Sequence, residues 1–241
     1  MIFLFILTKG DYMLFLKKLY LFFIAIAFAI AFLIPAKAFS NNEEIDIGED
    51  YVLYALNKLP RFYHQDMDEP TEDRIYRLKL LSNAISRAAK IHKPAGVDVI
   101  RMEAALSNLA FKETALARNV ASGNCLKMPK GMQCDLKDGK PRAKTYFQLW
   151  KKTCPEIHNN KDLIPGSQEQ LNIAAECAAK HLTYSYNRCK SVNPAGAWAG
   201  AYSGYRSICV WEPAEDRVKY MMYVDGLMRN YKYKIEKSKE L

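Results

Sequence analysis

The residue in this chain best placed to do chemistry is a glutamate in an apolar stripe. Val99, Met102, Leu106, Leu109, Ala110, Leu116, Ala117 and Val120 recur at intervals of three and four, the spacing that stacks side chains on one helical face. Glu113 falls among them, four residues after Leu109 and three before Leu116. A carboxylate there loses hydration, which is costly unless it is paired, protonated or open to a cleft. Apolar surroundings beside a cleft disfavour the anion, so such a carboxyl can keep a proton and serve as a general acid. The plainer reading is a carboxylate that pairs with a buried arginine or caps a neighbouring helix.

The elements that must position Glu113 are mostly helical. Glu49–Leu59 is a short helix candidate. Thr71 is expected to cap a stronger one, with Glu72 and Asp73 in its first turn and Ile75, Leu78, Leu81, Ile85 and Ala88 on one face. Lys93-Pro94-Ala95-Gly96 ends it, and the Glu113 helix follows. Residues 121–145, rich in Gly, Lys and Pro, show no period and read as a long loop with room for one short hairpin. A further helix spans about Ser167 to Asn187. The Asn193–Gly204 stretch reads as loop because it holds Pro194, Gly196, Gly200 and Gly204. Pro213, Glu215 and Asp216 open a last helix through Val218, Met221 and Met222, and the basic tail Lys232–Lys239 is expected to fray. No internal repeat is found. The expected fold class is mostly α, one helical domain with room for a small β-hairpin, stabilised by disulfides.

The first 38 residues are set apart from the fold. Residues 14–38 order two lysines, sixteen apolar residues from Leu19 to Ile34, and Ala36-Lys37-Ala38, the pattern of a secretory signal peptide with cleavage after Ala38. Translation can begin at Met13, and an uncleaved anchor is the rival reading. Removing this segment leaves 203 residues, enough for a substantial core. It also lowers the net charge from +9 to +6, because four lysines and one aspartate go with it. That balance suits an anionic polymer or a solvated surface. All six cysteines fall between Cys125 and Cys209; in an exported chain they imply three disulfides, with fifteen possible pairings. A local Cys125–Cys134 bridge is the first expectation. Zinc is disfavoured because no C-x2-C pair occurs, and neither metal nor cofactor is expected.

Four separate stretches then stand in a telling order. They are Glu113-Thr114; Ala143 to Leu149, with Gln148 near its end; Gln170 to Ala175 running on to His181-Leu182; and Ala201-Tyr202-Ser203. Together they resemble the Glu-Ser, Gly-Leu-Met-Gln, Asn-Ile helix and Ala-Tyr-Asn segments of soluble lytic transglycosylases and goose-type lysozymes, in the lysozyme-like superfamily. The resemblance covers roughly residues 97–210. It divides the chain into a leader (1–38), an N-terminal helical segment (39–96) and a lysozyme-like catalytic domain (97–241). It implies a murein-degrading glycosidase, periplasmic or secreted, acting on the β-1,4 linkages of peptidoglycan strands. Glu113 would be the general acid. Gln148 and Tyr202 would contact sugar, with Trp150, Tyr146 and Thr114 as further substrate-binding candidates and Trp198 and Tyr205 as weaker ones. Cleaving a glycosidic bond needs a proton on a poor leaving group as an oxocarbenium-like transition state forms.

Several positions depart from the family pattern. Thr145 stands where the family has glycine, Trp150 where it has methionine, and Ser203 where it has asparagine. Thirty-five residues separate Glu113 from Gln148, and the surplus loop around Cys125 and Cys134 is expected to overhang the cleft. His158 and His181 lack a partner at recognisable spacing and are read as structural. Asp135, Asp138 and Glu156 are the nearest candidates for a second carboxylate, so hydrolysis and 1,6-anhydro-forming transglycosylation both stay open. The competing class is a non-catalytic exported glycan- or protein-binding module on the same fold. Nucleic acid is not expected as a partner, since the charge comes with no aromatic–basic repeat or recognition motif. A stable membrane association after leader cleavage is not expected either. A monomer is the expectation, although no residue pattern fixes the oligomeric state.

Overall fold

A computed structural model describes residues 47–61, 68–121, 136–137, 140–141, 143–194, 196–203, 209 and 212–240. The leader expected at 1–38 and the Cys125–Cys134 bridge lie outside the described residues. Among the helices, α1 spans Tyr51–Lys58, α2 Thr71–His92, α3 Val99–Thr114, α4 Arg118–Ala121, α5 Pro155–Asn159, α6 Gln168–Val192, α7 Ala197–Ser203 and α8 Glu212–Ser238. Two antiparallel pairs of two-residue strands stand between α4 and α5: β1 (Leu136–Lys137) with β2 (Lys140–Pro141), and β3 (Ala143–Lys144) with β4 (Leu149–Trp150). The described chain is therefore mostly helical, with two minimal hairpins.

The helices begin where polar side chains can satisfy the first-turn amides. Asp50 accepts from Leu53 N at 2.8 Å, Asp98 from Arg101 N at 2.9 Å and Ser167 from Gln170 N at 3.2 Å. Thr71 does not cap α2; Pro70 holds the cap position without a side-chain bond, and Thr71 is the first helical residue. Leu78, Leu81, Ile85 and Ala88 of α2, Met102, Leu106 and Ala110 of α3, Leu171, Ala174, Ala178 and Leu182 of α6, and Met221, Val224 and Met228 of α8 are all buried. Each set recurs at three and four residues, so each helix turns one stripe inward. Alanines in the α3 and α6 stripes let the backbones approach closely. Cutting Leu81 or Leu106 to alanine removes transfer energy and leaves a cavity, at about 2–5 kcal/mol each.

From Ile47 onward the chain forms one unit. The helices α1 and α2, drawn from the N-terminal helical segment, pack against α3, α6 and α8. Three local expectations need correction. The apolar period through Leu116, Ala117 and Val120 does not continue one helix, because α3 stops at Thr114. The Asn193–Gly204 stretch is not simple loop, since α7 occupies Ala197–Ser203. A Cβ on Gly200 would collide with Cys189 Sγ, so this glycine lets the Cys189–Cys209 bridge cross α7. The basic tail does not fray at Lys232, since α8 runs to Ser238. Tyr231, just before that tail, stacks on Tyr54 at 3.9 Å between centroids. A second disulfide, Cys154–Cys177, ties the chain after β4 to α6. No helix among the described residues is long and apolar enough to cross a membrane.

Candidate functional site

Glu113 sits in the last turn of α3, and the chain behind it folds back sharply. Ala115 (φ +49°) and Leu116 (φ +57°) both adopt the left-handed conformation, which costs an L-residue roughly 1–2 kcal/mol. Arg77 of α2 holds the turn in place. Its guanidinium donates to Leu116 O at 2.8 Å, to Tyr146 Oη at 2.9 Å, and as a fork to both Glu69 oxygens at 2.7 Å. The β3–β4 turn carries the other two non-glycine residues with positive φ among those described, Thr145 (+67°) and Gln148 (+48°). Thr145 thus takes a glycine-type conformation with a β-branched side chain, a strained arrangement. Backbone strain of this kind concentrates at functional sites, where surrounding structure sustains it.

The β3–β4 turn, through Phe147 and Gln148, and the last turn of α3, through Glu113, line a cavity of about 260 Å³. Its walls bring together Glu113, Gln148, Trp150 and Tyr202 of the expected site, with Arg217 and His181. Leu109, Phe147 and Leu182 supply apolar wall. Glu113 is the one carboxylate among the described residues that line it. Its surroundings differ from the isolated apolar setting expected. Glu113 Oε1 accepts from Arg217 Nη1 at 2.7 Å, and the two side chains are 28% and 32% exposed. In this state Glu113 is an ion-pair acceptor, close to the plainer reading of its role, although the arginine is not buried. Arg217 is itself held by its backbone, whose carbonyl accepts from Asn108 Nδ2 at 2.8 Å.

The other expected residues divide. Gln148 reaches the cavity, but its Nε2 donates to Thr145 O at 3.0 Å and closes the turn. Trp150 is 43% exposed and presents its ring to solvent, with the Lys152 ammonium 5.7 Å from the centroid. Tyr202 offers ring surface only, because its hydroxyl donates to Ala105 O at 3.1 Å and burial pushes the phenol's pKa up. Two candidates are not in the cavity. Tyr146 is buried with its hydroxyl accepting from Arg77. Thr114 is buried too, its hydroxyl donating to Ala110 O at 2.9 Å, the back-bond of a helical threonine. Both brace the site instead of lining it. Trp198 packs between Tyr186 and Tyr202; Tyr205, Asp135 and Asp138 lie outside the described residues.

His158 fastens α5 to β4 through Leu149 O at 2.8 Å, as a structural histidine would. His181 stands on the cavity wall, where burial pushes its imidazole below the ordinary value. Its place three after Ala178 and one before Leu182 on α6 was the available signal. Arg217 gave none, since its pairing with Glu113 spans 104 residues. Cys154, Glu156 and Cys177 cluster closely enough to suggest metal ligands, but both sulfurs are committed to a disulfide and offer no thiolate. Comparison with known protein families, with characterised proteins and with solved structures finds no match for this chain.

Proposed function

We propose that this chain is an exported peptidoglycan-cleaving glycosidase of lysozyme-like type, with Glu113 as its general acid. The observation that carries the reading is convergence. Glu113, Gln148, Trp150 and Tyr202 come from three distant stretches and line one cavity, with Gln148 in the left-handed conformation within the β3–β4 turn. Trp150 and the Tyr202 ring supply surfaces on which a pyranose can stack. Sugar entering the cavity would displace Arg217 from Glu113 and expel water, leaving a carboxyl able to carry and deliver a proton. Glu113, the one carboxylate among the described lining residues, can act first as acid and then as base, with the sugar's own 6-hydroxyl as nucleophile. That route forms 1,6-anhydro ends; attack by water would give reducing ends.

One observation favours the second reading, a non-catalytic glycan-binding module: a carboxylate engaged by Arg217 accepts hydrogen bonds and does not donate a proton. Incubating the purified protein with suspended peptidoglycan separates the two. The catalytic reading expects falling turbidity and soluble fragments whose mass is one water below the hydrolytic products. Binding without any released fragment would overturn it.

A further inference from the structure

A second cavity, about 450 Å³, opens beside the first. The two share one residue on each wall: Thr153, just after β4, and His181 of α6. The helix explains the junction. Cys177, Lys180, His181 and Tyr184 recur at three, one and three residues and form one face, while Ala178, His181 and Leu182 form the next. His181 lines both, so the two cavities adjoin along α6 as two parts of one grooved surface. The opposite wall is pinned by the Cys154–Cys177 bridge.

The second part of the groove is more cationic than the first. Lys152 and Lys180 face it against one acid, Glu156, whose carboxylate leans to 3.9 Å from Cys177 Sγ. Tyr184, 66% exposed, gives it an aromatic wall, and Lys152 reaches across to the Trp150 ring. From this we infer that the groove beyond His181 and Thr153 binds a carboxylate-bearing portion of the glycan polymer that enters the Glu113 cavity. Two ammonium groups on flexible stems select charge without demanding a fixed geometry. The inference names the substrate class for the proposed site and rests on that reading for the polymer's identity.

The test uses the full chain and two probes: insoluble peptidoglycan, and the same material with its carboxyls converted to amides. Co-sedimentation at low salt measures retention, and turbidity measures cleavage. The wild-type chain should hold amidated wall about five- to ten-fold more weakly, the size expected of two partly exposed charge contacts. The double variant Lys152→Gln/Lys180→Gln should lose that discrimination and Lys152→Glu/Lys180→Glu should reverse it, with all three melting alike. Equal retention of the two walls by wild type, or discrimination kept by the double variant, overturns the inference. If retention is equal yet wall is cleaved, only this inference fails. If discrimination appears without cleavage, this inference stands and the catalytic reading fails. If neither wall is retained or cleaved, both fail.

Discussion

Two glutamate–arginine pairs in this chain share a 2.7 Å contact and have opposite surroundings. Glu69 and Arg77 are 1% and 11% exposed, joined by a fork, and Arg77 spends its remaining donors on Leu116 O and Tyr146 Oη. Glu113 and Arg217 make one contact at a cavity wall, each about three-tenths exposed. The first pair couples α2 to both strained turns and is largely shielded from water; the second lies at a cavity wall, where a ligand could open it. Contact distance therefore does not assign a role; burial and the number of bonds do. Glu103 extends the point. It shares α3 with Glu113 and is fully buried, and burial pushes its carboxyl above the ordinary value. Tyr51 donates to it at 2.8 Å, yet it lines neither cavity. A perturbed acid without a cavity is not a site.

The largest expected effect falls on the buried pair. Arg77→Ala strands the Glu69 carboxylate and removes two donors from the turns, which should cost about 3–5 kcal/mol in urea unfolding. Arg77→Lys should recover part of it, keeping the charge but not the fork. A loss no larger than that of Arg217→Ala would erase the contrast between the pairs.

A smaller effect is expected at Glu103. Its raised value means the folded chain holds a proton that the unfolded chain has already released. Its contribution to stability is therefore full below the ordinary value of 4.5 and declines as pH rises above it. Glu103→Gln should flatten that decline and raise the melting temperature near neutral pH, while leaving the acid end unchanged. A steeper fall in the variant would show that the buried carboxylate is stabilised as an anion.

The smallest effect is at the open pair: Arg217→Ala should lower stability by under about 1 kcal/mol, and less at high salt. A loss of several kcal/mol would make that pair a brace like the first.

How much of this was legible follows from how local each determinant is. The stripes of α2, α3 and α6 were readable because three- and four-residue apolar spacing is a property of short windows. The end of α3 was not, because Leu116 and Ala117 keep the period while Arg77, 39 residues earlier, captures the Leu116 carbonyl. Helix α7 was hidden by glycines that signal loops, although Gly200 answers to a disulfide contact. At the site, the order of the family-like stretches pointed to Glu113, Gln148, Trp150 and Tyr202. Thr114 and Tyr146 were misplaced because neighbours in sequence can face the brace and not the cavity. Arg217 and His181 were missed because their roles exist only once α8 and α6 close the cavity.

Glu113→Gln tests the central claim most directly, read by mass spectrometry of fragments released from peptidoglycan alongside a thermal melt. Glutamine keeps the volume and an acceptor for Arg217 but cannot deliver an acidic proton. The account predicts a melting temperature at most slightly lowered, reflecting a partly exposed ion pair of about 0.5 kcal/mol. A neutral side chain free of any pairing would have given a small rise instead. Fragment release should fall on the order of a hundred- to ten-thousand-fold. A variant that melts normally and releases the same fragments at the wild-type rate would contradict the assignment of Glu113 as the acid.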